Sequence, residues 1–83
     1  MKLVYFAWVR ERVGLPEEEV ELPPGVKTIA ELVGWLRTRG PEFEAAFGAK
    51  GVVRAAIDRV HARPDAAIGH AREIAFFPPM TGG

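Results

Sequence analysis

The 83-residue sequence contains no cysteine, which excludes disulfide bonds, thiolate metal sites and a cysteine nucleophile. Serine is absent as well, so a Ser-His-Asp arrangement cannot be built. We therefore predict that the chain is not catalytic on its own. A chain without cysteine is compatible with the cytoplasm, where disulfides rarely persist, and the cytoplasm is the location that we expect.

The sequence also lacks an excess of charge of either sign. Eleven basic and eleven acidic residues give a formal net charge of zero, whereas a nucleic-acid-binding surface needs concentrated positive charge. The apolar run near the N-terminus, Leu3–Val9, is far shorter than the ~20 residues that cross a bilayer. We accordingly expect neither nucleic acid nor a membrane as a partner.

Hydrophobic residues make up 48% of the chain, and the strongest apolar runs stand at its two ends. Leu3–Val9 and Glu73–Phe77 are apolar at both alternating sets of positions, a pattern that indicates strands in the middle of a sheet. Glu18–Leu22 alternates weakly and predicts a half-exposed strand at the sheet margin. Val52–Ile57 predicts a further strand, and Ala66–Ile68 a brief one.

The clearest helix follows the turn at Pro23-Pro24-Gly25. Thr28 and Glu31 have the spacing of a capping box, in which each side chain satisfies a free backbone N–H group at the helix start. A single apolar stripe then repeats at helical spacing, formed by Ile29, Leu32, Val33 and Leu36. We interpret Gly34 in this helix as a site where helix and sheet approach closely. A second short helix is predicted from residue 41 to residue 48.

These elements predict an α+β fold of the β-grasp (ubiquitin-like) class, with a mixed sheet and one main helix on one face. The folded domain should cover residues 1–77, and residues 78–83 should form an extended tail. Because one helix cannot cover both faces of the sheet, some aromatic surface of the first and last strands should stay accessible on the far face.

Other conspicuous residues have ordinary interpretations. His61 and His70 do not lie at ligand spacing from another candidate, so surface positions are expected and no metal site is predicted. The acidic run Glu17–Glu19 is interpreted as a solvated strand edge, with binding of a basic partner as the alternative. Trp8 and Trp35 are expected to be core or half-buried packing residues.

The C-terminal segment from Phe76 to Gly83, Phe-Phe-Pro-Pro-Met-Thr-Gly-Gly, is the part of the sequence that suggests a function. Pro78-Pro79 favours a stiff polyproline II conformation, which carries the chain away from the domain. Gly82 and Gly83 have no side chains and can enter a channel too narrow for other residues. Six residues reach up to ~20 Å. The tail is suited to deliver the carboxylate of Gly83, once activated, into the active site of another protein.

The ending Glu73–Gly83, read as EIAFFPPMTGG, and the opening with Phe6-Ala7, Val9-Arg10-Glu11 and Val13-Gly14 closely resemble the small subunits of molybdopterin synthase. These are ubiquitin-like sulfur carriers of molybdenum cofactor biosynthesis. The resemblance implies that an activating enzyme uses ATP and Mg²⁺ to adenylate Gly83 and that a thiocarboxylate is then formed. It also implies that no cofactor is bound permanently.

The resemblance further implies a heterotetramer with the large subunit of the synthase, in which sulfur passes to cyclic pyranopterin monophosphate and builds the dithiolene of molybdopterin. Gly83 would carry the sulfur and Gly82 would thread the pocket beside it. The remaining tail residues would contact the large subunit, namely Phe76, Phe77, Pro78, Pro79, Met80 and Thr81.

One stretch departs from the family pattern. Where the family usually has a tight turn with glycine before the last strand, this chain has His70-Ala71-Arg72-Glu73.

Three alternative functions remain: a sulfur carrier for thiamine synthesis or tRNA thiolation, a ubiquitin-like modifier joined to lysines through Gly83, and an interaction module with an inert tail.

Overall fold

The computed structural model describes residues 1–48 and 53–79. In chain order, these residues form the elements β1 (Lys2–Tyr5), α1 (Ala7–Val13), β2 (Glu17–Glu19), α2 (Ile29–Arg37), α3 (Pro41–Phe47), β3 (Arg54–Ile57), β4 (Val60–Ala62) and β5 (Glu73–Phe77).

The strands form one mixed sheet in the order β2-β1-β5-β3-β4. The first and last strands lie side by side and parallel, with Leu3 opposite Ile74 and Tyr5 opposite Phe76. The other neighbouring pairs are antiparallel. This is the β-grasp arrangement, and it confirms the prediction that the two apolar ends of the chain meet at the centre of the sheet.

The first strand is shorter than its sequence predicts. It ends at Tyr5, and the chain turns at Ala7, whose φ of 51° is left-handed, before continuing as α1. Val9 and Val13, four residues apart, are buried on one face of this helix. The prediction of a strand to Val9 is therefore wrong, and a third helix joins the two that were predicted.

The main helix begins as predicted. The Thr28 hydroxyl accepts the N–H of Glu31 at 3.2 Å, and the Glu31 carboxylate accepts the N–H of Thr28 at 3.0 Å. Ile29, Leu32 and Leu36 are buried. The capping box and the apolar stripe together fix where α2 starts and which face it turns toward the sheet.

Gly34 does not mark a close approach of helix and sheet. It is exposed, and a Cβ built on it would have no heavy atom within 4 Å outside its own helix backbone and chain neighbours. Substitution Gly34→Ala is therefore expected to stabilise the protein by about 1 kcal/mol, because alanine restricts the unfolded chain and fits the helix. Urea unfolding of the variant and the parent checks this, and a lower midpoint for the variant would contradict it.

Strand β4 was not predicted, because its hairpin turn has an unusual sequence. Asp58 and Arg59 both adopt left-handed conformations, with φ of 47° and 71°, at positions where Asn-Gly is the usual signal. The expected strand at Ala66–Ile68 is reduced to a single bridge between Thr28 and Ala67. Val52, the predicted start of β3, lies outside the described residues.

The turn before β5 forms without a glycine at residues 70–73. Gly69 supplies a left-handed conformation with φ of 57° just before it. The Asp58 carboxylate then accepts the backbone N–H groups of Arg72 and Glu73, both at 2.9 Å. The tip of the β3–β4 hairpin thus fixes the point where β5 enters the sheet.

The core lies between the helices and one face of the sheet. Its centre is an aromatic cluster in which Phe76 stacks on Tyr5, with ring centroids 6.1 Å apart, and Phe47 contacts both rings edge-on. Trp8 and Trp35 are half-buried beside this core, as expected. Among residues 1–48 and 53–79 there is no helix of the length and apolarity needed to cross a membrane.

Candidate functional site

The predicted tail, residues 78–83, begins directly after the central strand. Phe77 is the last residue of β5, and Pro78 and Pro79 follow it with partly exposed side chains. Met80, Thr81, Gly82 and Gly83 lie outside the described residues, and their roles remain predictions. The two prolines therefore begin the tail at the end of the sheet where β1 ends and α1 begins.

The two phenylalanines before the prolines point to opposite faces of the sheet. The side chain of Phe76 is fully buried, at 0% exposure, between Tyr5 and Phe47. A side chain buried in the core is not accessible to another protein, so the predicted partner contact of Phe76 cannot be made by its ring. Phe77 is half-buried on the other face and stays available.

That other face of the sheet, which we call the open face, carries side chains from all five strands. Strand pairing and alternation place on it Glu17, Glu19, Lys2, Val4, Glu73, Ala75, Phe77, Arg54, Ala56 and His61. All of them are partly or fully exposed. The described helices pack through buried residues on the opposite face, which confirms that aromatic surface stays accessible.

Three further residues lie near the end of β5, and sequence analysis did not assign them to the site. Arg54 is its cross-strand partner, and the His61 ring lies 5.4 Å from the Phe77 ring. Phe6, 48% exposed, donates its backbone N–H to the carbonyl of Phe76 at 3.0 Å. The alternation of side chains along β1, continued by one residue, could have predicted that Phe6 lies on this face. His61 could not be assigned to the face, because the strand that contains it was not predicted.

His61 and His70 are both exposed, as expected. His61 contacts Phe77 on the open face, whereas His70 lies in the turn that precedes β5. Of the two, His61 is the one that contacts the end of β5, from which the tail is predicted to start.

A partly buried polar contact holds the edge strand β2 against the core. The carboxylate of Glu18 accepts a hydrogen bond from the Tyr5 hydroxyl at 2.7 Å and another from the Arg39 guanidinium at 2.8 Å. Burial raises the pKa of Glu18, but the hydrogen bonds from Arg39 and Tyr5 outweigh it and hold this pKa below the ordinary value of a glutamate side chain. Burial, together with the bond to Glu18, raises the pKa of Tyr5 above its ordinary range. Glu18 therefore stays ionised and Tyr5 stays neutral around pH 7.

The stability of the fold should accordingly fall in acid. A carboxyl group whose pKa is lower in the folded than in the unfolded state stabilises the fold above its unfolded pKa and loses that effect as the pH falls through its folded pKa. For Glu18 this loss is expected in acid, as the pH falls below the range in which a glutamate side chain ordinarily titrates. Urea unfolding at a series of pH values should show the decline, and Glu18→Gln should flatten it. An equally steep decline in Glu18→Gln would contradict this assignment.

Comparison with known proteins agrees with this geometry. A curated relative, the molybdopterin synthase sulfur carrier subunit of Haemophilus influenzae, is 30% identical over 83 residues, which is 100% of this chain and 99% of the relative. The resemblance found in the sequence is thereby confirmed.

Solved structures share the fold. SAMP1 from Haloferax volcanii superposes with a TM-score of 0.74 at 23% identity, covering 100% of this chain and 98% of the other. A putative molybdopterin converting factor, subunit 1, from Pyrococcus furiosus gives 0.66 at 24% identity, with 95% of each chain covered. The model of the ThiS family matches residues 3–83, which include all of the sheet except Lys2, and this chain is a member of the ThiS family.

Proposed function

We propose that this chain is the sulfur-carrier subunit of a molybdopterin synthase. The observation that carries the proposal is the ending Phe-Phe-Pro-Pro-Met-Thr-Gly-Gly, which follows directly from the central strand of a β-grasp domain. Membership of the ThiS family and the relative from Haemophilus influenzae support it. The chain would act in the cytoplasm, with which its lack of cysteine is compatible.

The chemistry takes place at the carboxylate of Gly83. In an activating enzyme, one carboxylate oxygen attacks the α-phosphorus of ATP, with Mg²⁺ on the phosphates, and pyrophosphate leaves. A hydrosulfide ion, HS⁻, supplied by a sulfur donor then attacks the acyl carbon and displaces AMP, so that the C–O bond to AMP is replaced by a C–S bond and the S–H proton is lost to solvent. The product is a thiocarboxylate on Gly83, which donates its sulfur to cyclic pyranopterin monophosphate in the large subunit.

This chain contributes delivery rather than catalysis. Gly83 and Gly82 enter the pocket of the large subunit, and Thr81 and Met80 line the path behind them. Because only the backbone of the two glycines must pass, the channel can be narrow and can exclude water from the reactive thiocarboxylate.

The body of the domain would dock through the root of the tail. Phe77, Pro78 and Pro79 are partly exposed, and Phe6 adds a further aromatic side chain beside them. Aromatic residues at the centre of an interface commonly provide most of its binding energy. We propose that this group contacts the large subunit and that two copies of each subunit assemble into the heterotetramer.

A second candidate function is that of a ubiquitin-like modifier, in which the activated Gly83 forms an isopeptide bond with a lysine of a target. The likeness to SAMP1 concerns the fold alone, but a fold that presents its terminal carboxylate on a stalk suits both chemistries. Immunoblotting for higher-mass conjugates that disappear when Gly82 and Gly83 are deleted would favour this alternative.

Intact-mass spectrometry tests the sulfur-carrier proposal. The chain is co-expressed with its activating enzyme and a sulfur source, and the expected product is heavier by one sulfur-for-oxygen exchange, located at Gly83 by fragmentation. The same experiment without the sulfur source is the control. An unchanged mass, with the activating enzyme shown to release pyrophosphate, would contradict the proposal.

A further inference from the structure

His61 brings a titratable side chain into contact with Phe77, the last residue before the predicted tail. The centres of the two rings lie 5.4 Å apart, and the ring planes are inclined by 58°. His61 pairs with Ala56 on β3, and Ala56 pairs with Ala75 on β5. Because the side chains of these two alanines are single methyl groups, the larger rings can meet above them. The imidazole therefore extends the surface at the root of the tail across to β4.

The strands and turns next to His61 carry more positive than negative charge. Their charged residues are Arg54, Asp58, Arg59, Arg63 and Glu73. Both carboxylates are already engaged, since that of Asp58 accepts two backbone N–H groups at 2.9 Å and that of Glu73 lies 4.0 Å from the Lys2 ammonium group. Within the described chain, the ion pairs do not include His61. A positive charge on the exposed imidazole is therefore stabilised mainly by water.

A protein that covers Phe77 would also cover His61, because the two rings are in contact. The neighbouring part of the open face is apolar and is formed by Val4, Ala56 and Ala75. Taking an imidazolium ion out of water without an anionic partner is costly, whereas a neutral imidazole can be covered at a much smaller cost. The neutral ring is therefore the form of His61 that suits a covered position.

We propose that His61 is part of the surface that docks on the large subunit and that it is neutral in the complex, so that docking in acid requires the loss of one proton. The inference rests on the proposed function, under which the root of the tail contacts the large subunit. An exposed imidazole changes its charge between about pH 5 and pH 8. Since the complex takes the form without the proton, the affinity should be highest at the alkaline end of this range and should fall as the pH falls.

Calorimetric titration of the full-length carrier into the large subunit at about pH 7.5 and about pH 5.5 tests the proposal. The expected result is an affinity at least about fivefold weaker at the lower pH. His61→Gln, which cannot take up a proton, should lose most of this difference. His61→Lys carries a fixed positive charge and should bind weakly at both pH values. Repeating the titration at about pH 6 in two buffers of different protonation enthalpy should show that binding of the parent releases a proton.

His70→Gln is the matched control, because it removes the only other histidine, which is exposed in the turn before β5. This variant should keep the pH dependence of the parent. Circular dichroism at both pH values confirms that each variant is folded.

The outcomes separate this inference from the proposed function on which it rests. Binding that is equally tight at both pH values would overturn the inference alone. So would a His61→Gln variant with the pH dependence of the parent, or an affinity that rises in acid, which would indicate a carboxylate of the large subunit beside the imidazole. Absence of binding at either pH would overturn the proposed function and the inference with it.

Discussion

A chain lengthened by one alanine after Gly83 is expected to accept no sulfur, while its thermal midpoint remains that of the parent. The extension moves the terminal carboxylate by about 3.5 Å and places a methyl group where only glycine would fit. Such a shift is large compared with the tolerance of a reaction that needs atoms ~3 Å apart. Every buried core residue of the described chain lies at or before Phe76, so the extension should not alter the stability of the domain.

Intact-mass spectrometry after co-expression measures the first effect, and scanning calorimetry measures the second. An alanine inserted after Gly25, in an exposed turn, is the matched control and should be converted to the thiocarboxylate normally. Sulfur on the extended chain would show that the free end is not the reactive group. A large fall in the midpoint would show instead that the tail is structural.

The parts of the fold that the sequence predicts are those in which a local signal and burial agree. The side chains of Thr28 and Glu31 each accept the backbone N–H group of the other residue. The start of the helix can therefore be predicted from four consecutive residues, without the rest of the chain. Because Glu73–Phe77 is apolar on both faces, it was predicted to be a central strand, and it is the middle strand of the sheet. These features were predictable because the signal for each lies within its own segment of sequence.

The predictions were wrong or incomplete where the backbone conformation of a single residue, or the register between strands, determines the structure. Ala7 adopts a left-handed conformation that alanine disfavours, so the change from β1 to α1 has no residue signal. Asp58 and Arg59 form a hairpin turn without glycine, which hid β4. Apolar alternation could not show which phenylalanine faces the core, because that depends on the pairing of Tyr5 with Phe76.

Substitution by alanine is therefore expected to reduce stability much more at Phe76 than at Phe77. Phe76→Ala should lower the free energy of unfolding by about 3–5 kcal/mol, because it removes the ring at the centre of the cluster with Tyr5 and Phe47. A small domain has only about 5–15 kcal/mol in total. Phe77→Ala should cost about 1 kcal/mol, since its ring is half-buried on the open face.

Binding to the large subunit should show the reverse order. Phe77→Ala is expected to weaken the affinity by at least about tenfold, because an aromatic side chain at the root of the tail would be lost from the interface. Urea unfolding separates the stability effects, and calorimetric titration of the folded Phe77→Ala variant into the large subunit measures the affinity. Val60→Ala, at an exposed residue of β4, is the control for both measurements. Unchanged affinity in Phe77→Ala would place the docking surface elsewhere, and a mild effect of Phe76→Ala on unfolding would contradict its position in the core.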